Sequence, residues 1–148
     1  MVGGYPDVAD VPWLGEAHGV TAVLSLQDDA DLAAKRLDRS LLERAYAAAG
    51  IAFARMPVPE DGEERLARVL PDAVTHLDAL HREGHVAYLH CNAGMNRAPT
   101  VAIAYLHVHQ GLALSEATRV VKSRRPCLPF QGVLRRVYAR TPLPPPKA

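Results

Sequence analysis

The chain contains two cysteines, Cys91 and Cys127, and Arg97 stands six positions beyond the first of them. A thiol attacks electrophiles only as the thiolate, so it needs a positive field. A guanidinium offers two parallel N–H donors that match a tetrahedral oxyanion. Carried on one loop, Cys91 and Arg97 could therefore attack a phosphoryl group and hold its oxygens. Between them, Asn92, Ala93, Gly94, Met95 and Asn96 supply backbone N–H groups, and Gly94 lets the loop turn tightly. The bare spacing is a weak signal, and the elements around it must decide. A zinc site is a poor alternative, because His90 and Cys91 are neighbours and two thiols are too few for a closed site. Neither metal nor cofactor is expected. His76, His81, His85, His107 and His109 read as surface or core histidines.

The elements that must position this loop can be read from pattern. Val20 to Leu26 is β-branched and short, a buried strand. Asp31 to Ala49 reads as one helix stopped by Gly50, and Ile51 to Met56 as a second strand. Pro57 to Gly62 forms a loop. Leu66, Val69, Leu70, Ala73, Val74, Leu77 and Leu80 then recur at helical spacing, although Pro71 should kink or divide that helix and Gly84 end it. Val86 to Leu89 is a third strand, and a buried helix runs from Ala98, with Pro99 tolerated in its first turn. Ser115 to Arg140 is helical with a break over 125–129. Strands alternating with helices predict an α/β fold with a central, mostly parallel sheet covered by helices on both faces. Residues 90–97 fall between a strand's carboxyl end and a helix's amino end, where such folds bind ligands. Unpaired N–H groups and the helix dipole there favour an anion and lower the pKa of a thiol.

With 148 residues, 49% of them hydrophobic, the chain can bury one core, and a single domain is expected over residues 1–141, followed by a Pro-rich tail at 142–148. No run approaches the roughly 20 apolar residues that span a bilayer, and no leader-like segment opens the chain, so a cytoplasmic location is expected. The formal charge of +1 gives no reason to expect nucleic acid or a membrane as partner. Lys122, Arg124, Arg125, Arg135, Arg136 and Arg140 crowd the C-terminal part and read first as solvated helix faces. Nothing in the sequence sets an oligomeric state.

Three stretches, "GVTAVLSLQDDADL", "LPDAVTHLDALHREGHVAYLHCNAGMNRAP" and "VVKSRRPCLP", resemble in the same order the dual-specificity branch of the cysteine-dependent protein tyrosine phosphatases. Within it the chain looks most like the glucan phosphatases of the laforin and plant starch-excess type. The signature of this superfamily is His-Cys, five residues and Arg, here His90, Cys91 and Arg97. The resemblance implies that Cys91 forms a phosphocysteine while the N–H groups of residues 92–97 and the Arg97 guanidinium hold the equatorial oxygens. It implies no metal and a supporting role for His90. It also implies an acid on the loop Pro59-Glu60-Asp61-Gly62 that protonates the leaving oxygen. Counting without gaps favours Glu60, whereas residue type favours Asp61, which is chosen here with Glu60 as the alternative. Two departures stand out. Ala98 replaces the Ser or Thr that usually follows the arginine, as it does in the starch-excess enzymes, and Asn96 replaces a usual glycine, although its tolerance of left-handed backbone would still let the loop close. Phosphoglucan is the expected substrate, with phosphoprotein close behind and a non-hydrolysing phosphate-binding module as a third reading. Trp13, Tyr105, Phe130 and Tyr138 are the possible sugar platforms, each read first as core. Cys127 reads as a structural thiol near the loop.

Overall fold

A computed structural model describes residues 1–140; the Pro-rich tail expected at 142–148 lies outside the described residues. Four strands form one sheet in the order β1-β4-β2-β3, with every neighbouring pair parallel. They are β1 (Val2–Gly3), β2 (Ala22–Ser25), β3 (Ala52–Arg55) and β4 (Ala87–His90). Between and after them run α1 (Val11–His18), α2 (Asp29–Ala34), α3 (Arg39–Ala48), α4 (Glu63–Arg82), α5 (Arg97–Gln110), α6 (Leu114–Arg124) and α7 (Gln131–Tyr138). Successive side chains of a strand point to opposite faces, and β2 obeys this. Ala22 and Leu24 enter a core shared with Leu66, Leu70, Ile103 and Leu134 of α4, α5 and α7. Val23 faces the other way, onto Leu14 of α1 and Leu42 and Tyr46 of α3. The parallel sheet covered on both faces is thus as the strand–helix alternation requires.

Parallel pairing has a consequence for the site. Ser25 pairs in register with both Arg55 and His90, so the segments leaving β2, β3 and β4 emerge at one edge. Leu26 N–H donates to His90 O at 2.9 Å and Val58 N–H to Leu26 O at 3.0 Å, which carries the alignment past the strand ends. Residues 26–31, 57–62 and 91–97 are gathered there.

Three local features differ from the sequence expectation. The helix expected over Asp31 to Ala49 is two helices, α2 and α3, separated at Arg36, whose φ is 55°. Asp28 and Asp38 each cap a helix start, with side chains accepting from the Asp31 and Leu41 N–H groups, and this pair of caps sets the break. Pro71 does not divide α4, which runs unbroken from Glu63 to Arg82. Pro71 lies on the exposed face, where water can satisfy the carbonyl it frees, while Leu70, Ala73 and Val74 stay buried. The N-terminal residues, left unassigned by pattern, supply edge strand β1 and helix α1, too short to carry a periodic signal.

Candidate active site

The loop 91–96 joins β4 to α5, and its peptide groups have a consistent orientation. Its carbonyls are bonded outward. Asn92 O accepts from Tyr5 N–H at 2.9 Å, Ala93 O from Arg125 Nη2 at 3.2 Å, and Met95 O from Leu128 N–H at 2.7 Å. Asn96 O accepts from the N–H and the hydroxyl of Thr100, at 3.1 and 2.7 Å. Among the described residues, none of the N–H groups of Asn92 to Asn96 donates to a protein acceptor. A loop whose carbonyls, Gly94 excepted, are bonded outward and whose amides are left unpaired is a concave donor array, suited to an anion.

Gly94 makes this path possible. Its φ is +67°, and a Cβ there would lie 2.6 Å from the Gly3 carbonyl carbon and 2.8 Å from Arg125 Nη2. Only glycine accepts both the backbone angle and the close approach of β1. Arg125 completes the contact by donating from Nη1 to Val2 O at 3.0 Å, so one guanidinium ties the loop to the edge strand. Lys122, Arg124, Arg135, Arg136 and Arg140 are exposed, as solvated helix faces would be, whereas Arg125 turns inward.

Arg97 is 2% exposed, and Cys91 likewise. Arg97 Nη1 donates to Asp31 Oδ2 at 2.6 Å and to Val58 O at 2.7 Å. Asp31, also buried, accepts from Asn92 Nδ2 on its other oxygen at 2.7 Å, and Asn92 Oδ1 accepts from Gln27 Nε2 at 2.8 Å. Burial acts to raise the Asp31 pKa. Hydrogen bonds from Arg97, the Asp28 amide and Asn92, with the charge of Arg97, outweigh it and hold the carboxyl below its ordinary value. Asp31 and Gln27 were not among the residues singled out from sequence. The available signal was positional, since both follow β2 at the edge where ligand loops gather.

His90 is buried and its Nδ1 lies 3.0 Å from Cys91 O. A carbonyl only accepts, so this nitrogen carries the proton. Burial first, and the Arg97 charge after it, lower the His90 pKa to about 4, leaving the ring neutral at physiological pH. It can orient the Cys91 carbonyl but brings no positive charge to the thiol. Cys127 is buried with a free thiol, one residue before the Leu128 amide that bonds the loop.

Asn96 has φ −122° and ψ −71°, so the loop closes without the left-handed backbone that asparagine tolerates. Its side chain is used instead, with Nδ2 donating to Leu128 O at 2.6 Å. With Leu128 N–H on Met95 O, this straps residues 127–128 to the loop. Ala98 is fully buried, and the nearby Thr100 hydroxyl is taken, donating to Asn96 O and accepting from Phe130 N–H at 2.9 Å.

Glu60 and Asp61 are the central residues of a turn closed by Gly62 N–H on Pro59 O at 2.9 Å. Both are exposed, and among the described residues neither carboxylate has a hydrogen bond to the loop. Just before this turn, the Val58 carbonyl accepts from Arg97 Nη1. Of the aromatic candidates, Tyr138 is buried core, whereas Trp13 is 56% exposed and is corrected from core to surface. Trp13, Tyr88 and Tyr105 line a cavity of about 810 Å³ that also reaches Arg125. Among the described residues no cluster of three His, Cys, Asp or Glu side chains forms a metal-binding group.

A parallel sheet with a loop of unpaired amides between strand and helix, a cysteine at the loop's start and an arginine at its end, is the arrangement of protein tyrosine phosphatase folds. The chain belongs to the family "Dual specificity phosphatase, catalytic domain", whose model matches residues 2–139. It is 29% identical to mouse laforin over 119 residues, covering 74% of this chain and 36% of laforin. It is 35% identical to the phosphoglucan phosphatase DSP4, amyloplastic, of Castanea sativa over 113 residues, covering 75% of this chain and 30% of that protein. The chain thus spans about a third of these relatives' length. Among solved structures, that of Tk-PTP in its active form superposes with a TM-score of 0.73 at 25% identity, covering 93% of this chain and 89% of that one.

Proposed function

We propose that the chain hydrolyses phosphomonoesters through a phosphocysteine. The Cys91 thiolate attacks phosphorus, forming a P–S bond as the bond to the ester oxygen breaks. Asp61, or Glu60 as the alternative, gives that oxygen its proton. Water, losing a proton to the same carboxylate, then attacks phosphorus, releasing inorganic phosphate and restoring the thiolate. The amides of Asn92, Ala93, Gly94, Met95 and Asn96, with the Arg97 guanidinium, receive the equatorial oxygens, whose charge is better held in the transition state than in water. The observation that carries this reading is the outward bonding of the loop's carbonyls, which leaves its N–H groups free. His90 holds the Cys91 carbonyl in place as a neutral donor.

Phosphoglucan is the substrate class favoured. Laforin and the chestnut phosphoglucan phosphatase are its relatives, and the exposed Trp13 with Tyr105 offers apolar ring faces on which sugars can stack. Both cysteines are free, which fits work in the reducing cytoplasm.

The test is turnover of para-nitrophenyl phosphate by the parent, Cys91→Ser and Arg97→Lys. Activity in the parent and less than about a tenth of it in either variant is expected, since a hydroxyl is not ionised near neutrality and a point charge cannot replace the forked contact. Phosphate binding without turnover by the parent would select a binding module. Release from amylopectin should exceed release from a phosphotyrosine peptide, and Trp13→Ala should lower only the former. The reverse preference would leave a dual-specificity protein phosphatase.

A further inference from the structure

Arg97 can act on a phosphoryl group only if one edge of its guanidinium faces the loop, and something must turn it that way. The geometry points to Asp31 as the residue that positions Arg97 for oxyanion binding, an inference that rests on the function proposed above. Both N–H groups of Arg97 Nη1 are used, one on Asp31 Oδ2 at 2.6 Å and one on Val58 O at 2.7 Å. The other edge, Nε and Nη2, makes no hydrogen bond to protein among the described residues, and neither atom is among the sealed, unpartnered polar atoms. One edge of the fork is therefore clamped and the other is left for two oxygens of a ligand.

Asp31 is itself prevented from turning. It occupies the third position of α2 in a reciprocal capping box: Asp28 N–H donates to Asp31 Oδ2 at 3.0 Å, and Asp31 N–H to Asp28 Oδ1 at 2.8 Å. Its second oxygen takes Asn92 Nδ2, so one carboxylate fixes both the first residue after Cys91 and the arginine that ends the loop. Capping alone would explain an acidic residue here, but it would not require contacts 61 and 66 residues away along the chain.

A charge effect and a positioning effect predict opposite signs. Asp31→Asn removes a negative charge beside the anion site, which by electrostatics alone should tighten anion binding. The asparagine amide, however, must turn its NH2 toward Arg97, Asn92 or the Asp28 amide, all donors, so at least one of the bonds that hold the clamp is lost.

The experiment measures tungstate binding by calorimetry, and turnover of para-nitrophenyl phosphate, on the parent, Asp31→Asn and Asp38→Ala. Asp38→Ala removes the cap of the next helix, α3, without touching Asp31 or Arg97. For Asp31→Asn, tungstate affinity should fall at least about tenfold and kcat/KM about a hundredfold, the scale of a misplaced catalytic contact. Asp38→Ala should lower Tm comparably while leaving both values within about twofold of the parent, as loss of a cap away from the site requires. Unchanged or tighter tungstate binding by Asp31→Asn would overturn the inference, as would equal losses in Asp38→Ala. A parent that binds tungstate but turns over nothing would remove the phosphatase reading, and the binding comparison would still decide the role of Asp31. A parent that does neither would overturn both.

Discussion

The loop 91–97 and the Glu60–Asp61 turn share one edge of the sheet but are held in opposite ways. Every carbonyl from Asn92 to Asn96, Gly94 excepted, is bonded to another element, and Arg97 is clamped by Asp31 and Val58. The turn is closed by its own backbone, and both of its carboxylates face solvent. The difference fits the roles proposed for each. Donors aimed at developing charge are useful only if already in place, whereas an acid must reach a leaving oxygen whose position changes with the substrate.

The contrast breaks most severely at Gly94. Gly94→Ala forces a side chain into positive φ and onto Gly3, which should cost about 2–4 kcal/mol of stability, and turnover should fall by about a hundredfold or more. Urea unfolding and steady-state kinetics read both, and a variant with the parent's values would mean that the loop is not pinned to β1.

At the turn, expectation divides by leaving group. Asp61→Ala should slow an alkyl phosphate by roughly a hundredfold but para-nitrophenyl phosphate by only a few-fold, because nitrophenolate departs with little protonation. Selective loss in Glu60→Ala and not in Asp61→Ala would reassign the acid.

Arg125→Ala loosens the loop from outside the cradle by freeing Ala93 O and Val2 O. A loss of about tenfold in kcat/KM is expected, with tungstate affinity falling in parallel, as lost preorganisation requires. A drop in Tm with unchanged kinetics would make Arg125 a brace of β1 alone.

The smallest effect belongs to His90 and is read through pH. Its native pKa of about 4 lies below the ordinary value of 6.5, so as pH falls through that window the unfolded chain takes up a proton that the native ring refuses. Stability is unaffected above pH 6.5 and should fall by about 2–3 kcal/mol on the way to pH 4. Comparing urea unfolding at neutral and acid pH, His90→Gln should lose correspondingly less than the parent; equal losses would contradict the buried neutral ring.

What could be read from the sequence was what depends on neighbours along the chain. The alternation of strand and helix located the sheet and placed residues 90–97 at its functional edge, and the Cys91-to-Arg97 spacing marked the loop. Contacts between distant segments could not be read. Asp31 meets Arg97 only because parallel pairing aligns the ends of β2 and β4, and nothing local to "QDDADL" distinguishes a helix cap from a clamp. Asn96 was read for its backbone tolerance, whereas what it uses is its side chain, bonded to Leu128, 32 residues on. Pro71 is harmless for a similar reason, since the burial of α4's other face holds the helix together.

The central claim is that Cys91 becomes phosphorylated within this cradle, and trapping tests it most directly. Asp61→Ala, mixed with excess para-nitrophenyl phosphate and quenched in acid within the first turnovers, should carry the mass of one phosphoryl group on the peptide containing Cys91. The same peptide from the Cys91→Ser, Asp61→Ala double variant should carry none. Turnover with no phosphorylated Cys91 peptide at any quench time, or a phosphoryl group found elsewhere in the chain, would contradict the account.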